Sequence, residues 1–175
     1  MQMKLVVYSI TLLLILNTVI WSGCIRTPDK EYGGRGEILA IGAHKPKLMD
    51  HVLYSVKGQN FIINPSKDDL QIAVVKLRVV NMKSTQVTLN VDRDAVTIVS
   101  KAGQTFSPFD PEDMASKTSD MHPEGNPYGL HIWGSFKLNK RYEIAGTVFF
   151  EVPKGLEFSD TIWDNVEYVR VPYPK

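Results

Sequence analysis

The side chains best suited to chemistry are four histidines, a run of acids and one cysteine. His44, His51, His122 and His131 fall in neither an HxH nor an HxxxH spacing, and no second cysteine accompanies them. A zinc centre needs several converging nitrogen or sulfur ligands, so these histidines read as scattered surface and loop residues. Asp110, Glu112 and Asp113 are hard oxygen ligands at close spacing, with Asp120 and Glu124 nearby. Asp110-Pro111-Glu112-Asp113 lacks the alternation and the glycine of an EF-hand loop. The segment reads as a solvated acidic loop, a calcium ion on it being the alternative, and no other cofactor is implied. For nucleophilic catalysis, Gly-x-Ser-x-Gly is absent and no cysteine–histidine pair is available. Gly33-Gly34-Arg35-Gly36 lacks the strand before and helix after that a phosphate-cradling loop requires. A non-catalytic protein is the expectation.

Cys24 is the sole cysteine, so the chain forms no disulfide within itself. It closes a segment with the marks of export. Met1–Met3 leads to Lys4, Leu5–Ile20 is almost unbroken hydrophobe, and Trp21-Ser22-Gly23 precedes the cysteine. A short positive start, an apolar run and small residues at a cut describe an export signal. Ser22-Gly23-Cys24 resembles the prokaryotic lipobox, in which the cysteine takes a diacylglyceryl thioether and becomes the new N-terminus. Trp21 stands where that motif carries an aliphatic residue. The resemblance implies a lipoprotein signal peptide over 1–23 and membrane lipid as a partner through Cys24. An uncleaved anchor helix is the alternative, since about 17 apolar residues is the lower limit for a span. Both readings place the rest of the chain on the extracytoplasmic face of the cell membrane, with Lys4 as the inside charge.

The chain has 175 residues and a formal charge of +1, from 20 basic and 19 acidic residues. Lys4 is the only charged residue before Cys24, so the remainder is balanced. That balance lacks the basic face with which nucleic-acid binders neutralise phosphates, and no nucleic-acid partner is expected. Hydrophobic residues make up 43% of the chain, enough for a real core.

The elements that must position these residues are strands. In Tyr142–Pro153, Tyr142, Ile144, Val148, Phe150 and Val152 share one parity, and Glu143, Thr147 and Glu151 the other. Alternate side chains of a strand point to opposite faces, so this is a strand with an oily and a wet side. Gly146 falls on the oily side, where a missing side chain lets a second backbone come close. Phe149 is the exception, apolar on the wet side. Leu70–Asn81 predicts a second long strand, with Ala73, Val75, Leu77 and Val79 inward and Lys76 and Arg78 outward. Shorter candidates at Glu37–His44, Val52–Val56, Val87–Val91, Ala95–Ser100, Phe158–Trp163 and Val166–Val171 follow at the turn spacing of a sandwich or barrel. Residues 107–129, with Pro108, Pro111, Pro123 and Pro127, read as a long loop with one helical turn over Asp113–Lys117. Loops of that length are usually functional or disordered. The expected division is a signal over 1–23, a flexible tether over 24–36 and one β-sandwich domain over 37–175.

Three stretches carry a family resemblance: Val74–Asn81, then Thr97-Ile98-Val99 before Lys101-Ala102-Gly103-Gln104, then Gly146–Pro153. Together they resemble the prokaryotic extracellular family labelled domain of unknown function 4352. The resemblance covers roughly Glu37–Asn165 and implies an immunoglobulin-like antiparallel β-sandwich of the kind found on lipoproteins, akin to a mycobacterial immunoprotective extracellular antigen. Lys140-Arg141-Tyr142 stands where the family carries Pro-Gly-Glu. It implies no catalytic residues.

The functional expectation is a membrane-anchored accessory module that binds an envelope or surface protein, or a small ligand, through its loops. Asp110, Glu112, Asp113, Tyr128 and Phe149 are its candidate surface, because exposed aromatics beside charged loops mark partner sites. For Phe149 a place beneath the long loop or against a neighbouring strand is the favoured alternative. A purely structural envelope lipoprotein is the second reading, and an extracellular hydrolase the third.

Overall fold

The computed structural model describes residues 29–174. Two long strands organise them: β6 (Leu70–Asn81) and β13 (Glu143–Pro153). They run antiparallel with Val148 opposite Val75 and Phe149 opposite Val74. β1 (Glu31–Arg35), β2 (Leu39–His44) and β10 (Pro108–Phe109) extend this central sheet in the order β1-β2-β6-β13-β10, and β3 (Lys47–Met49) takes the stretch of β6 that β2 leaves free. The expected all-β class holds: nearly everything described is antiparallel β, in sheets packed face to face.

The inner face of the central sheet packs on two further sheets. One is β15 (Glu167–Pro172), β14 (Phe158–Asn165), β8 (Val96–Ser100) and β9 (Thr105–Phe106); the other pairs β12 (Gly134–Asn139) with β7 (Gln86–Val91). Ala73, Val75, Leu77 and Val79 meet Val148, Phe150 and Val152 around Trp163, all buried, which is the alternation carried through to a core. The outer face has a cover of its own. β4 (Val52–Val56), β5 (Gln59–Ile63) and β11 (Ala115–Lys117) form a small sheet over the lower half of the central one. A second core of Val52, Tyr54, Ile63, Ile72, Val74, Phe109, Tyr128 and Phe149 lies between them.

Three expectations change. The expected tether over 24–36 does not hold in its described part, because Glu31–Arg35 is a strand paired from Glu31↔His44 to Arg35↔Ala40. Gly34 serves contact rather than looseness: a Cβ there would overlap the Arg170 carbonyl of β15. Tyr142 does not share the inward face of β13. Arg141 takes a φ of 68°, the strand begins one residue after Tyr142, and Tyr142 is left 67% exposed. The long loop over 107–129 carries β10, β11 and a helical turn, α1 (Pro111–Met114), earlier than the expected Asp113–Lys117. Asp110 caps that turn by accepting the Glu112 N–H at 3.0 Å, with Pro111 in the first position.

Candidate functional site

The small outer sheet stops halfway up the central sheet, and its limit follows the side chains. On the outer parity of β6 and β13, Val74 and Phe149 lie opposite one another under cover. One step on, Lys76 pairs with Thr147, then Arg78 with Ala145, and the face opens. Two contiguous hollows of about 310 and 210 Å³ occupy the open half and share Glu31 and Arg78. Their floor is small, built from Gly33, Ala40 and Ala145 with the Glu31 carboxylate lying over Gly42, and one wall is Pro127, Tyr128 and Gly129 of the 107–129 segment.

Charge in this groove is organised around Arg78. Its Nε and Nη2 donate to the two carboxylate oxygens of Glu31 at 2.8 and 3.1 Å, and Nη1 donates to Glu143 at 3.4 Å. A bidentate guanidinium–carboxylate pair holds both side chains in one geometry. Lys76 lines the groove beside it, and His44 stands 3.6 Å from Asp29 at the side where the chain enters.

His131 sits at the boundary between groove wall and second core. Residues 130–132 run along the outer edge of β13: Thr147 N–H donates to the Leu130 carbonyl at 2.7 Å, and Ile132 N–H to the Thr147 carbonyl at 3.0 Å. That puts the His131 ring edge-on to Tyr54 at 4.5 Å and Phe149 at 5.0 Å, with Nε2 buried and lacking a hydrogen-bond partner. Burial pushes the imidazole below its ordinary pKa. The unfolded chain therefore binds more protons than the folded one just below pH 6.5, and stability falls as pH drops through that range. Melting temperatures taken between about pH 7.5 and 5 should decline, and His131→Phe should flatten the decline. An equal decline in the variant would assign it to other groups. Burial, and after it the nearby charges of Glu112 and Asp110, push the Tyr54 hydroxyl up from its ordinary value.

Of the expected site residues, Asp110, Glu112 and Asp113 are grouped at α1, where Asp110 is spent on the cap. No group of three or more metal-ligating side chains forms among the described residues. Tyr128 and Phe149 are not an exposed patch: both are buried in the second core, Phe149 completely. The outer sheet takes up an apolar side chain that alternation alone assigns to water. Cys24 and the signal lie outside the described residues. Lys76, Arg78, Glu31 and Ala145 were not among the candidates. The signal for them is the change along one parity of β6, from Ile72 and Val74 to Lys76 and Arg78.

No protein-family model and no curated protein matches the chain. The resemblance to the domain of unknown function 4352 family accordingly rests on the residues quoted for it. Two solved structures share a distant likeness of shape. YcdA of Bacillus subtilis, a candidate lipoprotein, is 18% identical with a TM-score of 0.48, over 82% of this chain and 38% of its own. MPT63, a secreted protein of Mycobacterium tuberculosis, is 10% identical with a TM-score of 0.43, over 82% of this chain and 92% of its own. The chain thus spans well under half the length of YcdA.

Proposed function

We propose that this chain is a lipid-anchored, extracytoplasmic, non-catalytic binding module. Cys24 carries the lipid, and the sandwich holds an envelope or surface protein against the open upper half of the central sheet. The observation that carries this reading is the half-covered outer face: the second layer ends at Val74 and Phe149, and the 107–129 segment becomes a wall rather than a free loop. A shallow floor of small residues lets a partner backbone lie close, and the fork of Arg78 between Glu31 and Glu143 supplies a fixed polar landmark.

The test uses the full chain in its own membrane. Labelling with a fatty-acid analogue should mark the native chain and be lost in Cys24→Ala. A photo-crosslinking residue at position 76 should then capture one defined protein, and Ala40→Trp, which fills the groove floor, should remove that product. Labelling that survives Cys24→Ala overturns the anchor. Crosslinks indifferent to Ala40→Trp overturn the groove.

A further inference from the structure

β12 and β13 follow one another through a short turn, yet they do not pair. β12 is hydrogen-bonded to β7, from Gly134↔Val91 to Asn139↔Gln86, and β13 to β6. Between the two lies a cleft of about 460 Å³ with Phe136, Leu138, Tyr142, Glu143 and Ile144 among its walls. The lower part of the outer edge of β13 is taken: β10 pairs with Phe149 and Phe150, and the Leu130–Ile132 backbone brackets Thr147. Above Thr147 no strand pairs with that edge among the described residues. Backbone groups alternate along a strand, and Thr147 directs both its N–H and its C=O away from β6. Glu143 and Ala145 share its parity, so theirs also point away from β6, and no backbone partner meets them among the described residues.

The surroundings of this open edge specify what fits it. Ile144 and Phe136 give a half-buried apolar floor. Tyr142 and Leu130, 67% and 51% exposed, stand at its two ends. Lys137, Lys140 and Arg141 form no ion pair among the described residues, while Glu143 is engaged by Arg78. Of the three, Lys137 lines the cleft and Lys140 and Arg141 sit in the adjoining turn between β12 and β13, so this end of the cleft carries net positive charge.

We propose that this cleft receives an extended acidic and apolar segment of a partner polypeptide, added as a short strand to the edge of β13 at Glu143–Ala145. Main-chain groups of the segment satisfy the free N–H and C=O groups, alternate side chains enter the apolar floor, and its acids meet the three cations. The site lies on the edge between the sheets and shares Glu143 and Ala145 with the outer-face groove, but it uses their main-chain groups, and its test does not require a groove partner.

The probe is a fluorescein-labelled hexapeptide, Glu-Val-Asp-Ile-Glu-Val, titrated into the full chain. Saturable binding is expected, with slowed hydrogen exchange at the Glu143 and Ala145 amides and none at Ile144, whose N–H already bonds β6. Reversing the rim with Lys137→Glu, Lys140→Glu and Arg141→Glu should weaken binding on the order of ten-fold or more. A peptide N-methylated at alternate nitrogens, which tests the native chain and needs no variant to fold, should lose binding. Absence of saturation up to about 1 mM overturns the proposal. So does equal binding of the N-methylated peptide, protection at other amides, or concentration-dependent protection of Glu143 and Ala145 without peptide, which would assign the edge to a second copy of the chain.

Discussion

Phe149→Ala is expected to destabilise the domain by about 3–5 kcal/mol, the range for emptying a fully buried phenylalanine site. The ring is completely buried and is met by Phe109 at 6.3 Å, Tyr128 at 6.0 Å and His131 at 5.0 Å. These three come from the 107–129 segment and the strip that follows it, so the cavity would open where the outer layer is fastened to the central sheet. Collapse around it is restricted because Val74 and Ile72 below are fixed in β6 by the inner core. For a domain of this size the loss corresponds to a melting temperature lower by about 6–20 °C. Urea unfolding followed by tryptophan fluorescence measures the first quantity and calorimetry the second. Hydrogen exchange should quicken first in β4 and β5, ahead of β14, because the damage is on the outer side. A cost below about 1 kcal/mol would mean that the outer layer is loosely held and that the second core contributes little.

Gly146→Ala is the second large effect, at about 3 kcal/mol. A Cβ at this position would overlap the Leu130 carbonyl oxygen and press on Ile132. The obstacle is backbone, so it cannot swing aside as the end of a long side chain can. Moving the 130–132 strip would break two edge hydrogen bonds at Thr147 and strain a third, the Thr147 hydroxyl donating to the Tyr128 carbonyl at 2.6 Å. Gly33→Ala is the control. Its added carbon would have only the Ile41 carbonyl near it, at 4.0 Å, and should change stability by less than about 1 kcal/mol. If the two alanines cost the same, the expense at 146 is intrinsic to strands rather than to the crossing backbone.

Both effects trace to residues that already stand out in the sequence, Gly146 as a gap on an oily face and Phe149 as an apolar residue on a wet one. The alternation along Leu70–Asn81 and Tyr142–Pro153 also places the inner core correctly, since a half-buried strand shows its faces at a period of two. The outer layer was harder to read. Short strands such as β5, β10 and β11 are too brief for a period to show, and a glycine-rich run like Glu31–Arg35 reads as flexible although it pairs at every residue. The same limit hid the groove. A groove is defined by where a covering layer stops, and coverage is a property of distant segments meeting: Tyr54 and Phe109 are far from Phe149 in sequence and beside it in space. The clue that survived in one strand is the switch from Val74 to Lys76. Tyr142 misled for the opposite reason, because a turn residue at positive φ put the strand boundary one position later than alternation suggested.

The packing of β1 on β15 has a consequence for how the domain can be cut. β1 lies against β15 at Gly34 and Val169, the Tyr32 and Tyr173 rings meet edge to face at 5.3 Å, and the Tyr173 hydroxyl donates to the His44 carbonyl at 2.9 Å. β1 and β15, the outermost strands of the described residues, are neighbours, so within the sandwich domain a short bridge could join them and new ends could be opened in the exposed turn at Lys101–Gly103. Such a circular permutant would keep every strand pairing, with the order of the sequence rotated around an unchanged sandwich.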